Sequence, residues 1–325
     1  MNLSTSYMGL TLKNPIIAGS CGLTRTVDQI KACEDANAGA VVMKSLFEEQ
    51  IREQDAELEQ SLAMHPEALE YLRADIDMRY GADAYTEAIA KAKQAVSIPV
   101  LASVNCYTSK WWMDYAKKIQ EAGADALEMN IFVMPADFTK SAADIEAVYV
   151  DILKAVKAQI SIPVALKLSP MFTSFGNFAL RLERAGVDGL VLFNRFVQPD
   201  IDISSLQTTM TPSFNDPAGF GRSLGWIGLL SGQLDVDLVA SGGIRDSLGV
   251  AKQLLAGAVA VQVASALYAK GLGKIQELLN GLEEWMEDKN FATLDEFCGN
   301  LNHINSPRPE TYVRAQYLKA YTNVE

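Results

Sequence analysis

Eight short runs of β-branched and aliphatic residues recur along the chain, separated by amphipathic segments. They are PIIAGS (15–20), AVVMKS (40–45), PVLASVN (99–105), ALEMN (126–130), PVALKLS (163–169), GLVLFN (189–194), DLVASGG (237–243) and AVQVAS (260–265). Their hydrophobicity is continuous rather than alternating, as expected of strands covered on both faces in a parallel sheet. The intervening segments carry helix signals. Thr26 with Gln29 forms a capping box ahead of Val27, Ile30 and Cys33, and Ile145, Val148 and Ile152 are spaced as one helical face requires. The phrases NAGA, EAGADA, RAGVDG and LAGAVA each put glycine where a helix stops and a strand begins. Eight such alternations predict an α/β fold, a (β/α)8 TIM barrel, with an open doubly wound sheet as the alternative. A chain of 325 residues fits one such domain spanning 1–325.

Two connections are too long to be plain turns. Residues 46 to about 82, after strand 2, are charged and predicted helical; residues 195 to about 224, after strand 6, are polar and hold Pro199, Pro212 and Pro217. Both leave from the C-terminal ends of strands, the face on which barrel enzymes carry their sites, and loops of this length are usually lids or binding loops. A tail over about 292–325 includes SPRPETY; packing or subunit contact is its expected role, and a homodimer the expected assembly.

Composition removes several function classes. A net charge of −12 with no clustered Lys/Arg run argues against nucleic acid or an anionic membrane surface as partner. No apolar run reaches the length of a membrane span and the N-terminus lacks a signal pattern, so a cytoplasmic protein is expected. Cys21, Cys33, Cys106 and Cys298 form no CxxC pair, and His65 and His303 are the only histidines. No metal centre or disulfide framework is therefore expected.

The chemistry is expected at the last residues of each strand: Ala18, Gly19 and Ser20; Lys44 and Ser45; Ser103 and Asn105; Asn130; Lys167; Asn194; Ser241, Gly242 and Gly243; Ala264 and Ser265. Lysines and amides at the ends of core strands are costly unless something pairs with them, so a polar small molecule filling the barrel mouth accounts for the set. ASGGIRD after strand 7 and VASAL after strand 8 offer close backbone approach and a helix N-terminus, the usual phosphate cradle of this fold. Lys44 and Lys167 suit a flat, electron-rich ring that becomes anionic on reduction. Phosphate and ring together describe flavin mononucleotide (FMN), and no Rossmann GxGxxG follows any strand to suggest a dinucleotide.

The ordered set AGS, KS, the strand 4 asparagine, LKL, the strand 6 asparagine, SGGI and VxxASALYxxG resembles the dihydroorotate dehydrogenase family, on its soluble class 1 side, from NPIIAGS to LDEFCGNL. The resemblance implies an FMN barrel in which Ala18, Gly19, Ser20, Lys44, Ser45, Asn130, Lys167, Asn194, Gly242, Gly243, Ala264 and Ser265 surround the cofactor, and Asn105 and Ser241, at strand ends of the same mouth, are expected to join them. Lys167 would stabilise the reduced flavin from its pyrimidine edge. The family follows its strand 4 asparagine with Leu-Ser-Cys-Pro-Asn, or Ser for Cys, and that Cys or Ser is the base. Here the phrase is Asn130-Ile131-Phe132-Val133-Met134-Pro135, so Val133, or Met134 if the proline is matched, stands where a proton acceptor is needed. The family's Asn-x-x-Gly-Leu-Pro-Asn, which holds orotate, has no counterpart between Leu46 and Asp83, and Asn194 is followed by Arg195.

Three readings follow. One is an FMN oxidoreductase acting on a different small planar or unsaturated substrate, with Lys44 and Lys167 as catalytic cations and Asn130, Asn194 and Arg195 contacting substrate. A second is a true dihydroorotate dehydrogenase whose base is Cys106, Tyr107, Cys21 or a group on the loop bearing Thr139 and Ser141. The third is a flavin-binding protein without turnover.

Overall fold

The computed structural model describes residues 1–48, 82–105, 109–194, 199–210 and 217–313. Eight parallel strands close on one another: β1 (Ile16–Ala18), β2 (Ala40–Val42), β3 (Val100–Asn105), β4 (Ala126–Asn130), β5 (Val164–Leu168), β6 (Gly189–Leu192), β7 (Asp237–Ser241) and β8 (Ala260–Val263). Closure comes from β2 pairing with β1 on one side and β3 on the other, Ile17 facing Ala40 and Val41 facing Val100. The TIM barrel expected from the sequence is therefore the fold. Around it lie α1 (Val27–Asp35), α2 (Ala82–Ala95), α3 (Ser109–Glu121), α4 (Ala142–Lys157), α5 (Phe175–Arg184), α6 (Pro217–Leu230), α7 (Ser247–Ala256) and α8 (Lys274–Lys289).

Local signals explain most boundaries. Thr26 and Gln29 form the expected capping box on α1. Gly123, Gly186 and Gly257 adopt φ of 91°, 91° and 109° at helix ends, a region that favours glycine. The NAGA phrase departs from this pattern, because Asn37 (φ 71°) takes the left-handed position. Gly39 meets a different need, since a Cβ there would fall 2.1 Å from the Asn14 carbonyl oxygen. The connection after β6 also differs from a polar loop reaching 224. It contains an antiparallel hairpin, Pro199–Asp202 with Gln207–Met210, and α6 begins at Pro217. Proline's missing N–H costs nothing at the first helical position, so Pro217 opens an element instead of interrupting one.

Strand alternation divides the buried residues into two sets. Ile16, Val41, Val100, Leu127, Leu166, Leu190, Leu238 and Val261 point outward and pack beneath the helices. Ile17, Ala40, Val42, Leu101, Ala126, Ala165, Val191, Val239 and Ala260 fill the lower bore. A hairpin not anticipated from the sequence, Thr5–Tyr7 with Leu10–Leu12, closes the bottom by adding Tyr7, Met8 and Leu12 to that inner cluster.

Candidate active site

The same alternation builds the upper bore. Continuing each strand by two or four residues from its inner apolar position reaches Lys44 just past β2, Ser103 and Asn105 on β3, and Glu128 and Asn130 on β4. It reaches Lys167 on β5, Ser241 on β7 and Gln262 on β8. Parallel pairing sets Asn130 beside Lys167 and Ser241 beside Gln262. The polar residues thus form the layer directly above the apolar plug.

At the base of this layer lies a buried polar trio. Lys167 Nζ donates to Gln262 Oε1 at 2.9 Å and lies 3.8 Å from Glu128 Oε1, while Gln262 Nε2 donates to Glu128 Oε2. All three side chains are buried, Glu128 completely. Sequence inspection limited to strand ends missed Glu128 and Gln262. The signal that finds them is parity: in ALEMN and AVQVAS they sit two places before Asn130 and Ala264.

Hydroxyls join the first three strands. Ser20 Oγ lies 3.0 Å from Ser45 Oγ, which lies 2.7 Å from Ser103 Oγ, and Ser45 N–H donates to Ser20 Oγ at 2.9 Å. Tyr85 of α2 fastens this edge, donating to the Ser103 carbonyl and accepting from its N–H. Across the mouth, Asn194 Nδ2 donates to Asn130 Oδ1 at 2.8 Å.

The turn after β7 places Gly242 and Gly243 at φ 87° and 73°. A Cβ on Gly243 would sit 2.8 Å from the Phe220 backbone nitrogen, so only glycine lets this turn lie against α6. Ala264 is the N-cap of a short helix, Ser265–Lys270. Gly19 N–H donates to the Val263 carbonyl at 2.9 Å, tying this corner to the end of β1. The Ala18 side chain packs outward in the helix-facing core, leaving only its backbone to meet a ligand.

The strand 4 loop is apolar by construction. Ile131 is fully buried, and Val133 is half-buried against the main core. Val133 N–H donates to Tyr149 Oη at 3.2 Å. Burial pushes the Tyr149 hydroxyl up to about 12, and its rings of contact are Phe172 and Phe178, each edge-on. No side chain from 131 to 134 can accept a proton.

Other base candidates fare differently. Cys21 is buried, and desolvation raises its thiol despite bonds with Leu23 and Thr24 and the charges of Lys44 and Lys167. A thiol that holds its proton is a poor general base near neutral pH. Thr139 Oγ1 is engaged with Asp137, and Ser141 caps α4 through Asp144; both residues are exposed. Cys106, Tyr107 and Arg195 lie outside the described residues. Among the described residues no cluster of His, Cys, Asp or Glu could hold a metal ion, and no helix is long and apolar enough to cross a membrane.

The whole barrel has counterparts of known family. A family model described as dihydroorotate dehydrogenase matches residues 2–286. The dihydroorotate dehydrogenase B (NAD(+)) catalytic subunit of Pyrococcus furiosus is 27% identical over 308 residues, covering 92% of this chain and 98% of the relative. The subunit of the same description from Methanocella arvoryzae is 28% identical over 318 residues, covering 94% and 99%. That from Caldicellulosiruptor saccharolyticus is 24% identical over 308 residues, covering 93% and 100%. Because the match runs through every barrel strand and the mouth they build, the chain belongs to the dihydroorotate dehydrogenase family, on its class 1 side, and is an oxidoreductase.

Proposed function

We propose that this oxidoreductase binds FMN in the barrel mouth and acts on a small planar or unsaturated anionic substrate other than dihydroorotate. The observation that carries the substrate change is the strand 4 loop, where Val133 packs into the core with its N–H on Tyr149. A group so placed removes no proton.

What supports the cofactor is the chemistry of the donor set. Ser20, Ser45, Asn130 and Asn194 offer hydroxyls and amides to a polar ring edge, and the Gly242–Gly243 turn offers backbone where a side chain would clash. FMN, when bound, supplies a ring that accepts or returns a hydride. Lys44, with the part of the Lys167 charge that Glu128 leaves uncancelled, offsets the negative charge that gathers during transfer, as preorganised cations do. Asn130 and Asn194, already bonded to each other, orient the reacting pair, and Phe132 with Val133 makes that wall apolar. Arg195 is the proposed anion clamp.

A second reading, turnover of dihydroorotate with a base from another element, draws support from relatives named dihydroorotate dehydrogenase B catalytic subunits along 92% of the chain. The test is direct. Purified protein should be yellow and release FMN on denaturation. Dihydroorotate should not bleach it under anaerobic conditions, whereas a member of a panel of small unsaturated acids and their reduced forms should exchange hydride with it. Val133→Cys should gain little dihydroorotate activity. General base assistance is worth ~10²- to 10⁴-fold, and it acts only on a substrate that is held in position. Colourless protein that takes up no FMN sinks the cofactor assignment, and rapid bleaching by dihydroorotate sinks the altered substrate.

A further inference from the structure

Lys167 is surrounded below the mouth by acceptors from two other strands. Gln262 Oε1 of β8 accepts a hydrogen bond from its ammonium at 2.9 Å, and Glu128 of β4 lies 3.8 Å away. Gln262 is bonded to both, so the contact spans the bore. Glu128 Oε1 is buried and makes no hydrogen bond among the described residues. A carboxylate in that condition is costly, and a bore that only needed filling is served as well by aliphatic side chains. Its position, one ion-pair distance from a cation of the proposed flavin site, suggests a use.

We propose that Glu128 and Gln262 are positioning residues for Lys167. Gln262 fixes where the ammonium sits, and Glu128 cancels most of its charge, so the field at the mouth is weaker than two lysines would give. The Lys167–Glu128 pair then contributes little net charge, and the drive toward reduced flavin is held down. This inference rests on the proposal that FMN fills the mouth.

The experiment is reconstitution with FMN followed by potentiometric titration of wild type, Glu128→Gln, and the double variant Glu128→Gln/Lys167→Met. An opposite charge at this range shifts an ionisation about tenfold or more. Glu128→Gln should therefore raise the preference for reduced over oxidised flavin by about tenfold, a rise of about 30 mV for a two-electron couple. The double variant, with both charges gone, should return to within about threefold of wild type. A residue that only supported the fold would leave the potential unchanged. An unchanged potential in flavin-loaded Glu128→Gln overturns the inference while FMN binding stands. So does a double variant whose preference for reduced flavin falls about tenfold or more below wild type. That second comparison decides the matter even where Glu128→Gln alone fails to fold. Failure of every protein, wild type included, to take up FMN overturns the cofactor assignment and this inference with it.

Discussion

The lower and upper halves of the bore are made by the same strands, two residues apart, yet they are opposites. Below, Ile17, Leu101, Ala165 and Val239 meet Tyr7, Met8 and Leu12 of the N-terminal hairpin in a closed apolar plug. Above, Ser103, Glu128, Lys167 and Gln262 share hydrogen bonds and charges. The plug lets the upper half be polar, because a bore with a sealed floor opens only at the C-terminal mouth, where a ligand can satisfy what the strands leave over. Substitution below should therefore be read out in stability, and substitution above in ligand binding and potential.

The largest expected effect tests the floor. Tyr7 is fully buried, and Gly189 approaches it so closely that a Cβ there would lie 2.9 Å from Tyr7 Cε2. Tyr7→Ala removes a ring from a site whose walls are strands and cannot collapse, so a loss of about 3–5 kcal/mol is expected in urea unfolding. Flavin content per folded molecule should stay the same. Loss of flavin from the folded fraction would show that the two halves are not separable.

A comparable cost with a different remedy is expected above. Lys167→Met strands the buried Glu128 carboxylate, and breaking such a pair costs roughly 3–5 kcal/mol. Removing both charges with Glu128→Gln/Lys167→Met should recover most of that loss. A double variant no more stable than the single would mean that the pair is not what holds the upper bore.

How much of this was legible in the sequence follows from which physical signal each part carries. Continuous apolar runs and glycine stops showed eight strands, because burial on both faces is a property of every residue in the run. The polar strand ends showed Lys44, Asn130, Lys167 and Asn194, because polarity beside core strands stands out. Glu128 and Gln262 are framed by Leu127, Met129, Val261 and Val263, and they look like interruptions until the inward parity is followed. The hairpin plug escaped because TSYMGLTL is short, and only its docking under the barrel gives Tyr7 a reason to be buried. Pro217 sits in a stretch that reads as a polar connection, yet it opens a helix. Tyr149, which fastens the loop after β4, lies sixteen residues from the N–H it accepts, beyond the reach of any local pattern.

The smallest effect returns to the floor, where a carboxyl group meets the plug. Asp237 begins β7, and its Oδ2 accepts from Met8 N–H at 2.5 Å in the turn of the plug hairpin. Burial raises its carboxyl above the usual value; the Met8 bond works against this and the neighbouring Asp188 adds to it. A carboxyl raised in the folded state binds its proton more tightly there than in the unfolded chain. Its contribution to stability is therefore greatest below the unfolded value of about 3.9 and is lost as pH rises through the folded one. Asp237→Asn keeps an oxygen for Met8 N–H and never ionises. The variant should melt slightly above wild type at neutral pH, and the difference should shrink to nothing as pH falls below about 4. Melting curves across that range decide it: a variant less stable than wild type at neutral pH would show that the ionised carboxylate helps hold the plug to the barrel, and that the floor is not purely apolar in its energetics.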